Sequence, residues 1–269
     1  MHDPTVLILT PIKDATACLP GYFAGLRNLD YPPGLLSLGL LESDSSDGSF
    51  EKFQAELNAC AGPKAGHFAS ARIWKKDFHF KLPPGKQRWD RSIQKNRRCV
   101  LAKSRNFLLF NALQAHDWVL WLDVDIIEYP PDLIQRLLAT GKDIVQPHCV
   151  KEFGGPTFDC NAWRDHGRLH MDDLRGEGDL VELDTVGGTV LLVRADIHRE
   201  GLIFPTFFLG KPIARARRDN LCHSRLDFLR AWRGDYRGEI ETEGLGIMAH
   251  EMGYQCHGMP NFEVRHRDA

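Results

Sequence analysis

A run of five apolar residues, Trp118-Val119-Leu120-Trp121-Leu122, ends abruptly at two carboxylates, Asp123 and Asp125. An apolar run of this length with polar flanks reads as a strand buried on both faces, as in the middle of a parallel sheet. Such a sheet needs helices on both sides, so the chain should alternate strands and helices in an α/β fold with a mostly parallel sheet. If the backbone stays extended through Asp125, both acids point the same way. In open α/β sheets, ligands bind just outside the carboxyl ends of strands. Two acids held there suit a hard divalent cation, which commonly carries nucleotide phosphates. A lone Asp-x-Asp is expected by chance about once in a chain this long, and its plain alternative is a solvated turn. The placement after so apolar a strand, with Pro130-Pro131 then opening a helix through Leu133 to Leu138, favours the cation.

The rest of the chain keeps the alternation. Strands are expected at Thr5 to Leu9, Leu35 to Leu41, Ala69 to Trp74, Asp143 to Val150, Leu180 to Leu183 and Thr189 to Val193. Helices are expected at Leu19 to Leu29, Phe50 to Cys60 with Ser49 as cap, Arg97 to Gln114, and near 245–252. Residues 79–96, rich in Lys, Pro and Gln, read as a mobile loop, and 151–180 as irregular. Residues 211–238 carry many arginines and read as a helical excursion.

A length of 269 residues fits one large or two small domains, and a hydrophobic content of 43% is ample for a core. A net charge of -2 calls for no nucleic acid. No apolar run approaches the ~20 residues of a membrane helix. Met1 to Pro4 leads straight into a strand-like segment, so no signal peptide is expected. The seven cysteines are odd in number, widely spaced and without a C-x-x-C. That excludes a zinc ribbon and a disulfide framework, and reads as reduced, mostly buried thiols.

Eight stretches, in order, resemble the Anp1/Mnn9-type mannosyltransferase family. They are Leu7 to Asp14 (LILTPIKD), Ser37 to Ser45 (SLGLLESDS), Ser104 to Leu109 (SRNFLL), Trp118 to Asp125 (WVLWLDVD), Asp159 to Trp163 (DCNAW), Val186 to Val193 (VGGTVLLV), Ile240 to Gly244 (IETEG) and Gly258 to Phe262 (GMPNF). The resemblance implies a GT-A glycosyltransferase fold in one domain over 1–269. Residues 1–127 would form the nucleotide-sugar half and 128–269 the acceptor half. It further implies a GDP-mannose donor, a Mn2+ or Mg2+ cofactor, retention of the α configuration and a mannose-containing glycan acceptor. The expected setting is cytoplasmic, membrane association included, or the Golgi lumen if an N-terminal anchor is removed. An oligomer or a glycosyltransferase complex is the expected assembly.

Roles follow for individual residues. Asp123 and Asp125 are the catalytic metal and donor acids, with Asp125 the more direct ligand and Asp123 reaching the ribose or a metal-bound water. His266 would be a third metal ligand, since imidazole with carboxylate suits manganese. Thr10, Pro11, Lys13 and Asp14 after the first strand, Asp44 after the second and Asp77 after the third would hold base and ribose. Arg105 and Asn106 precede the acid strand, and an arginine there offers paired donors to phosphate. Asp159, Asn161 and Trp163 suit sugar hydroxyls and an apolar sugar face, and Gly188 would let backbone approach the sugar. Glu241 and Glu243 are further catalytic candidates, one facing the reacting sugar and the other capping a helix. No dedicated base is assigned, because a leaving diphosphate can take the acceptor proton. Against each stands a structural alternative: solvated loop charges, a surface arginine, a core tryptophan, a frayed histidine. Two other functions compete, a transferase using another nucleotide sugar and a non-catalytic glycan-binding subunit of a glycosyltransferase complex. An intact acid pair argues against the second.

Overall fold

Strand β4 (Trp118–Leu122) lies at the centre of the molecule, and its side chains divide between two layers. Leu120 and Leu122 face one apolar cluster, Val119 and Trp121 the other, as strand alternation requires. The computed structural model describes residues 3–60, 66–87, 90–210 and 238–267. The arginine-rich excursion expected over 211–238 lies outside them except for Gly238.

The main sheet runs in the order β3-β2-β1-β4-β10-β6-β11-β5, with β9 paired to β11. Its first strands, β1 (Val6–Ile12), β2 (Leu36–Glu42), β3 (Ser70–Lys75) and β4, pair in parallel. Beyond β4, β10 (Val190–Arg194) runs antiparallel between β4 and β6 (Ile144–Val150), and β11 (Cys256–His266) returns parallel to β6. The short strands β5 (Ile126–Glu128) and β9 (Val181–Leu183) pair antiparallel with β11. A separate hairpin joins β7 (Trp163–Arg164) to β8 (Leu169–His170).

Helices cover both faces. α1 (Leu19–Arg27), α2 (Ser49–Cys60) and α4 (Leu133–Ala139) send Phe23, Phe53 and Leu133 into one cluster. α3 (Arg91–Ala112), α5 (Ala195–Arg199) and α6 (Glu241–Glu251) send Leu108, Ile197 and Leu245 into the other. Burying each such side chain contributes about 1.5–3 kcal/mol. The α/β layering, with helices on both faces of one sheet, is as expected. No helix among the described residues is long and apolar enough to cross a membrane.

Three local expectations change. Helix α3 begins at Arg91, well inside the segment read as a mobile loop, because Asp90 caps it by accepting from Ser92 N and Oγ at 2.9 and 2.6 Å. Ser49 does not cap α2. Asp47 accepts from Ser49 N at 3.0 Å, and Ser49 Oγ accepts from Ala15 N at 2.8 Å. Finally, β4 stops at Leu122, and Asp123 to Ile126 form a reverse turn closed by Ile126 N donating to Asp123 O at 3.2 Å. The acid pair is therefore carried on a turn, not on extended backbone.

Candidate active site

The carboxyl ends of β1, β2, β3 and β4 lie along one edge of the sheet because these strands are parallel. The antiparallel β10 begins at that edge, so the 187–189 turn meets the acid turn, with Asp123 N donating to Thr189 O at 2.8 Å. His266, the last residue of β11, pairs with Ile126 and so reaches the same place.

Arg105 is the hub. Its buried guanidinium donates from Nη2 to Asp123 Oδ1 at 3.0 Å, from Nε to Glu241 Oε1 at 3.1 Å and from Nη2 to Gly188 O at 3.2 Å. It lies against the Trp121 and Phe204 rings, 5.5 and 5.3 Å from their centroids. Nη1 of the same group is buried without a protein partner. Burial disfavours its charge, but Asp123 and Glu241 outweigh this and hold the group protonated. The Asp123 side chain is 27% exposed. Burial pushes its carboxyl up to about 7 against the pull of Arg105, with the charges of Asp125, Asp159 and Glu241 adding to the rise.

Asp125 Oδ2 meets His266 Nε2 at 3.1 Å. Nδ1 of His266 faces the Arg267 carbonyl, which fixes the tautomer and directs Nε2 at the acid. Desolvation lowers the imidazole pKa, yet the bond and charge of Asp125 raise it overall. A histidine whose other nitrogen donates to a backbone carbonyl is also the usual disposition of a metal ligand. Carboxylate and imidazole together form a donor set for manganese. Among the described residues, no three such side chains already converge as a metal cluster. The donor set of Asp125 and His266, with Asp123 beside it, fits a divalent cation.

The sugar-side candidates are near but already engaged. Asp159 Oδ2 accepts from Gly188 N at 2.9 Å and from Thr189 Oγ1 at 3.0 Å, so this oxygen builds the turn. Asn161 Nδ2 donates to Thr242 Oγ1 at 3.2 Å. Trp163 is buried and its Nε1 donates to Glu243 Oε1 at 2.7 Å, while Arg98 Nη1 lies 2.6 Å from Glu243 Oε2. Glu241 is buried with a left-handed φ of 62°, a strained conformation for a glutamate. A Cβ on Gly188 would lie 2.7 Å from Arg105 Nη2 and 2.6 Å from Thr242 Cγ2. The side chains that crowd this position are those of Thr242 and Arg105.

The strand-end candidates form a second group. Asp44 Oδ1 accepts from His79 N at 2.8 Å, and Oδ2 accepts from Phe78 N and Phe80 N at 3.1 and 3.3 Å. Asp44 N donates to Asp77 Oδ1 at 3.0 Å. Lys13 Nζ donates to the Asp44 carbonyl, and Asp14 Oδ1 accepts from Ser46 N at 2.7 Å. Asp14, Asp44 and His79 all have left-handed φ, at 47°, 56° and 59°. Strain of this kind is retained where the surroundings over-determine it, often at ligand sites. Pro11 lies half-buried at the end of β1. Thr10 is fully buried and ties β1 to the acid turn by donating to Leu122 O at 2.7 Å. Asn106 turns away from the acids. Its amide donates to Phe204 O at 2.7 Å and accepts from Phe204 N at 2.9 Å. Its side chain is thereby spent on holding the ring beneath Arg105.

Two residues at the site carried no functional reading in the sequence. Arg98 is one, although it stands seven residues before Arg105 on the same helix, two turns away on the same face. Phe158, stacked on His266 with centroids 3.9 Å apart, had no sequence signal.

A model of the Anp1 family matches residues 1–171 and 165–208. The mannan polymerase complex subunit mnn9 of Schizosaccharomyces pombe is 33% identical over 98% of this chain and 80% of its own length. The anp1 subunit of the mannan polymerase II complex of the same yeast is 28% identical over 97% of this chain and 63% of its own length. Among solved structures, the mannosyltransferase PcManGT from Pyrobaculum calidifontis, in complex with GDP-Man and Mn2+, matches with a TM-score of 0.56 at 14% identity, over 98% of this chain and 57% of that one. That likeness is one of fold. With a family model spanning well over half its length and a relative one-third identical across nearly all of it, the chain belongs to the Anp1 family.

Proposed function

We propose that this protein is a retaining α-mannosyltransferase that moves mannose from GDP-mannose to a mannose-containing glycan with Mn2+ or Mg2+. The observation that carries the reading is the meeting of Asp125 with His266 at 3.1 Å beside the Asp123–Arg105 pair. Asp125 and His266 would hold the cation, which when bound would neutralise charge on the diphosphate. Arg105, with its unpartnered Nη1, would turn donors to the same phosphates. Asp14, Asp44, Asp77 and Lys13 would take the nucleoside at the neighbouring strand ends. Asn161 and Gly188 would lie toward the sugar.

Glu241 and Glu243 are ion-paired to Arg105 and Arg98. A carboxylate so engaged is a poor proton acceptor, which supports transfer without a dedicated base. The acceptor oxygen would bond to the mannose C1 on the face from which the diphosphate departs, and the acceptor proton would pass to the departing oxygen. The relatives' place in mannan polymerase complexes supports a working form that includes partner subunits.

Thermal shift with GDP- and UDP-sugars tests the reading, since a ligand of the native state raises the melting temperature. GDP-mannose with manganese should stabilise most, and Asp125→Ala should lose the manganese dependence and the turnover while staying folded. Equal stabilisation by UDP-sugars would overturn the donor. Donor binding without hydrolysis or transfer to any glycan would favour the non-catalytic subunit.

A further inference from the structure

His266 is fixed on three sides. Arg267 O takes Nδ1, Asp125 takes Nε2, and the Phe158 ring lies on its face at 3.9 Å and 29°. The loop that carries Phe158 is itself clamped. Val150 and Thr157 form a β-bridge, and Phe158 N donates to Cys149 O at 2.8 Å, so the loop leaves β6 and returns to it. Thr157 Oγ1 donates to Asp172 Oδ1 at 2.5 Å and lies 3.0 Å from Nε2 of the fully buried His148. At the rim, Arg175 Nη2 donates to Gly155 O at 2.7 Å and to Glu263 Oε1 at 2.6 Å. Glu263 Oε2 accepts from Gly154 N at 2.7 Å. Glu263 sits three residues before His266 on β11, so the loop is anchored to the strand that ends in the histidine.

We infer that Phe158 is a positioning residue for His266, and that the clamp of Arg175 and Glu263 on this loop fixes the direction in which His266 offers Nε2 to a divalent cation. The inference rests on the metal reading proposed above. Phe158 has no ligating atom; it acts by removing the rotations the imidazole would otherwise keep. Groups that orient a metal ligand typically change affinity by about 10–100-fold when lost.

The test is the Mn2+ dissociation constant of the whole protein without donor, read from the electron paramagnetic resonance signal of free Mn2+. Wild type should bind, and His266→Ala should bind poorly. Phe158→Ala should weaken binding by about tenfold or more. Phe158→Leu keeps most of the apolar volume without the planar face, and should be weakened as well. Phe158→Tyr restores the ring and should bind like wild type. Phe153→Ala removes an exposed ring of the same loop and should change nothing. Wild-type affinity in a folded Phe158→Leu protein, or failure of Phe158→Tyr to restore binding, would overturn the positioning role. Absence of Mn2+ binding by wild type would instead overturn the metal reading on which it rests.

Discussion

Arg105 and Asp123 are joined at 3.0 Å, although one sits on helix α3 and the other on the turn that follows β4. The same guanidinium reaches Glu241, 136 residues further along, at 3.1 Å. One buried cation thus fixes an acid of the candidate metal site and the first turn of α6.

Replacing Arg105 separates geometry from charge. Arg105→Lys keeps a positive group but has no planar fork to serve Asp123, Glu241 and Gly188 O together. It should fold and lose about 10–100-fold in donor turnover, the worth of one or two charge-assisted bonds. Arg105→Ala strands a buried Glu241 and should cost about 3–5 kcal/mol in urea unfolding. A lysine variant with unchanged turnover would show that the fork is not used.

Gly188→Ala should act through the same arginine. The added methyl lies within 2.7 Å of Arg105 Nη2, in a packed setting where overfilling costs about 1–3 kcal/mol. Gly21, in α1, has nothing within 4 Å of such a methyl. Gly21→Ala should be neutral or stabilising by up to about 1 kcal/mol, the helix propensity difference. Denaturation of both variants checks the contrast, and an undisturbed Gly188→Ala protein would contradict the crowding.

Glu241→Gln and Glu243→Gln probe the missing base. A positioned base contributes about 10²–10⁴-fold, so smaller losses in turnover with an α-linked product by NMR are expected. Glu241→Gln should in addition lower stability, since it weakens the pairing with Arg105. A β-linked product would end the retaining assignment. A carboxamide that stops turnover while donor binding stays intact would identify a base.

His198 makes stability pH-dependent. It is buried, Nδ1 donates to Leu202 O at 2.7 Å, and Nε2 faces the Trp121 Nε1 donor at 3.4 Å. Both nitrogens are thus satisfied by the neutral ring. Burial pushes its pKa down to about 4 against the lift of the Leu202 carbonyl. The unfolded chain, near 6.5, binds the proton first as pH falls. Stability should therefore be full above about pH 6.5 and fall by about 3 kcal/mol on the way to pH 4. Urea unfolding at several pH values should show a shallower acid decline for His198→Gln. Parallel curves would refute the contribution.

The run from Trp118 to Leu122, the apolar runs of β1 and β10 and the apolar faces of the helices are local patterns, and they carried the α/β layering, while the eight motif stretches carried the family resemblance. They failed where a side chain overrides a pattern. The density of Lys, Pro and Gln hid the start of α3, which depends on one cap at Asp90. The spacing of Asp123 and Asp125 suggested extended backbone, but pairing of β5 with β11 turns the chain there. Asn106, next to Arg105, was a donor-binding candidate. The partner it serves, Phe204, is 98 residues away.

The buried central strand, the acids at its end and the strand-end loops beside them are written in short stretches of sequence, because hydrophobic periodicity and turn chemistry act over a few residues. It took the folded arrangement for Arg105 to clasp Asp123 and Glu241, for Glu243 to be held by Arg98 and Trp163, and for Phe158 to lie on His266. Those meetings depend on sheet order. The antiparallel β10 between β4 and β6, and the return of β11 beside β6, bring residues more than a hundred positions apart to one edge of the sheet, and no local pattern along the chain encodes that order.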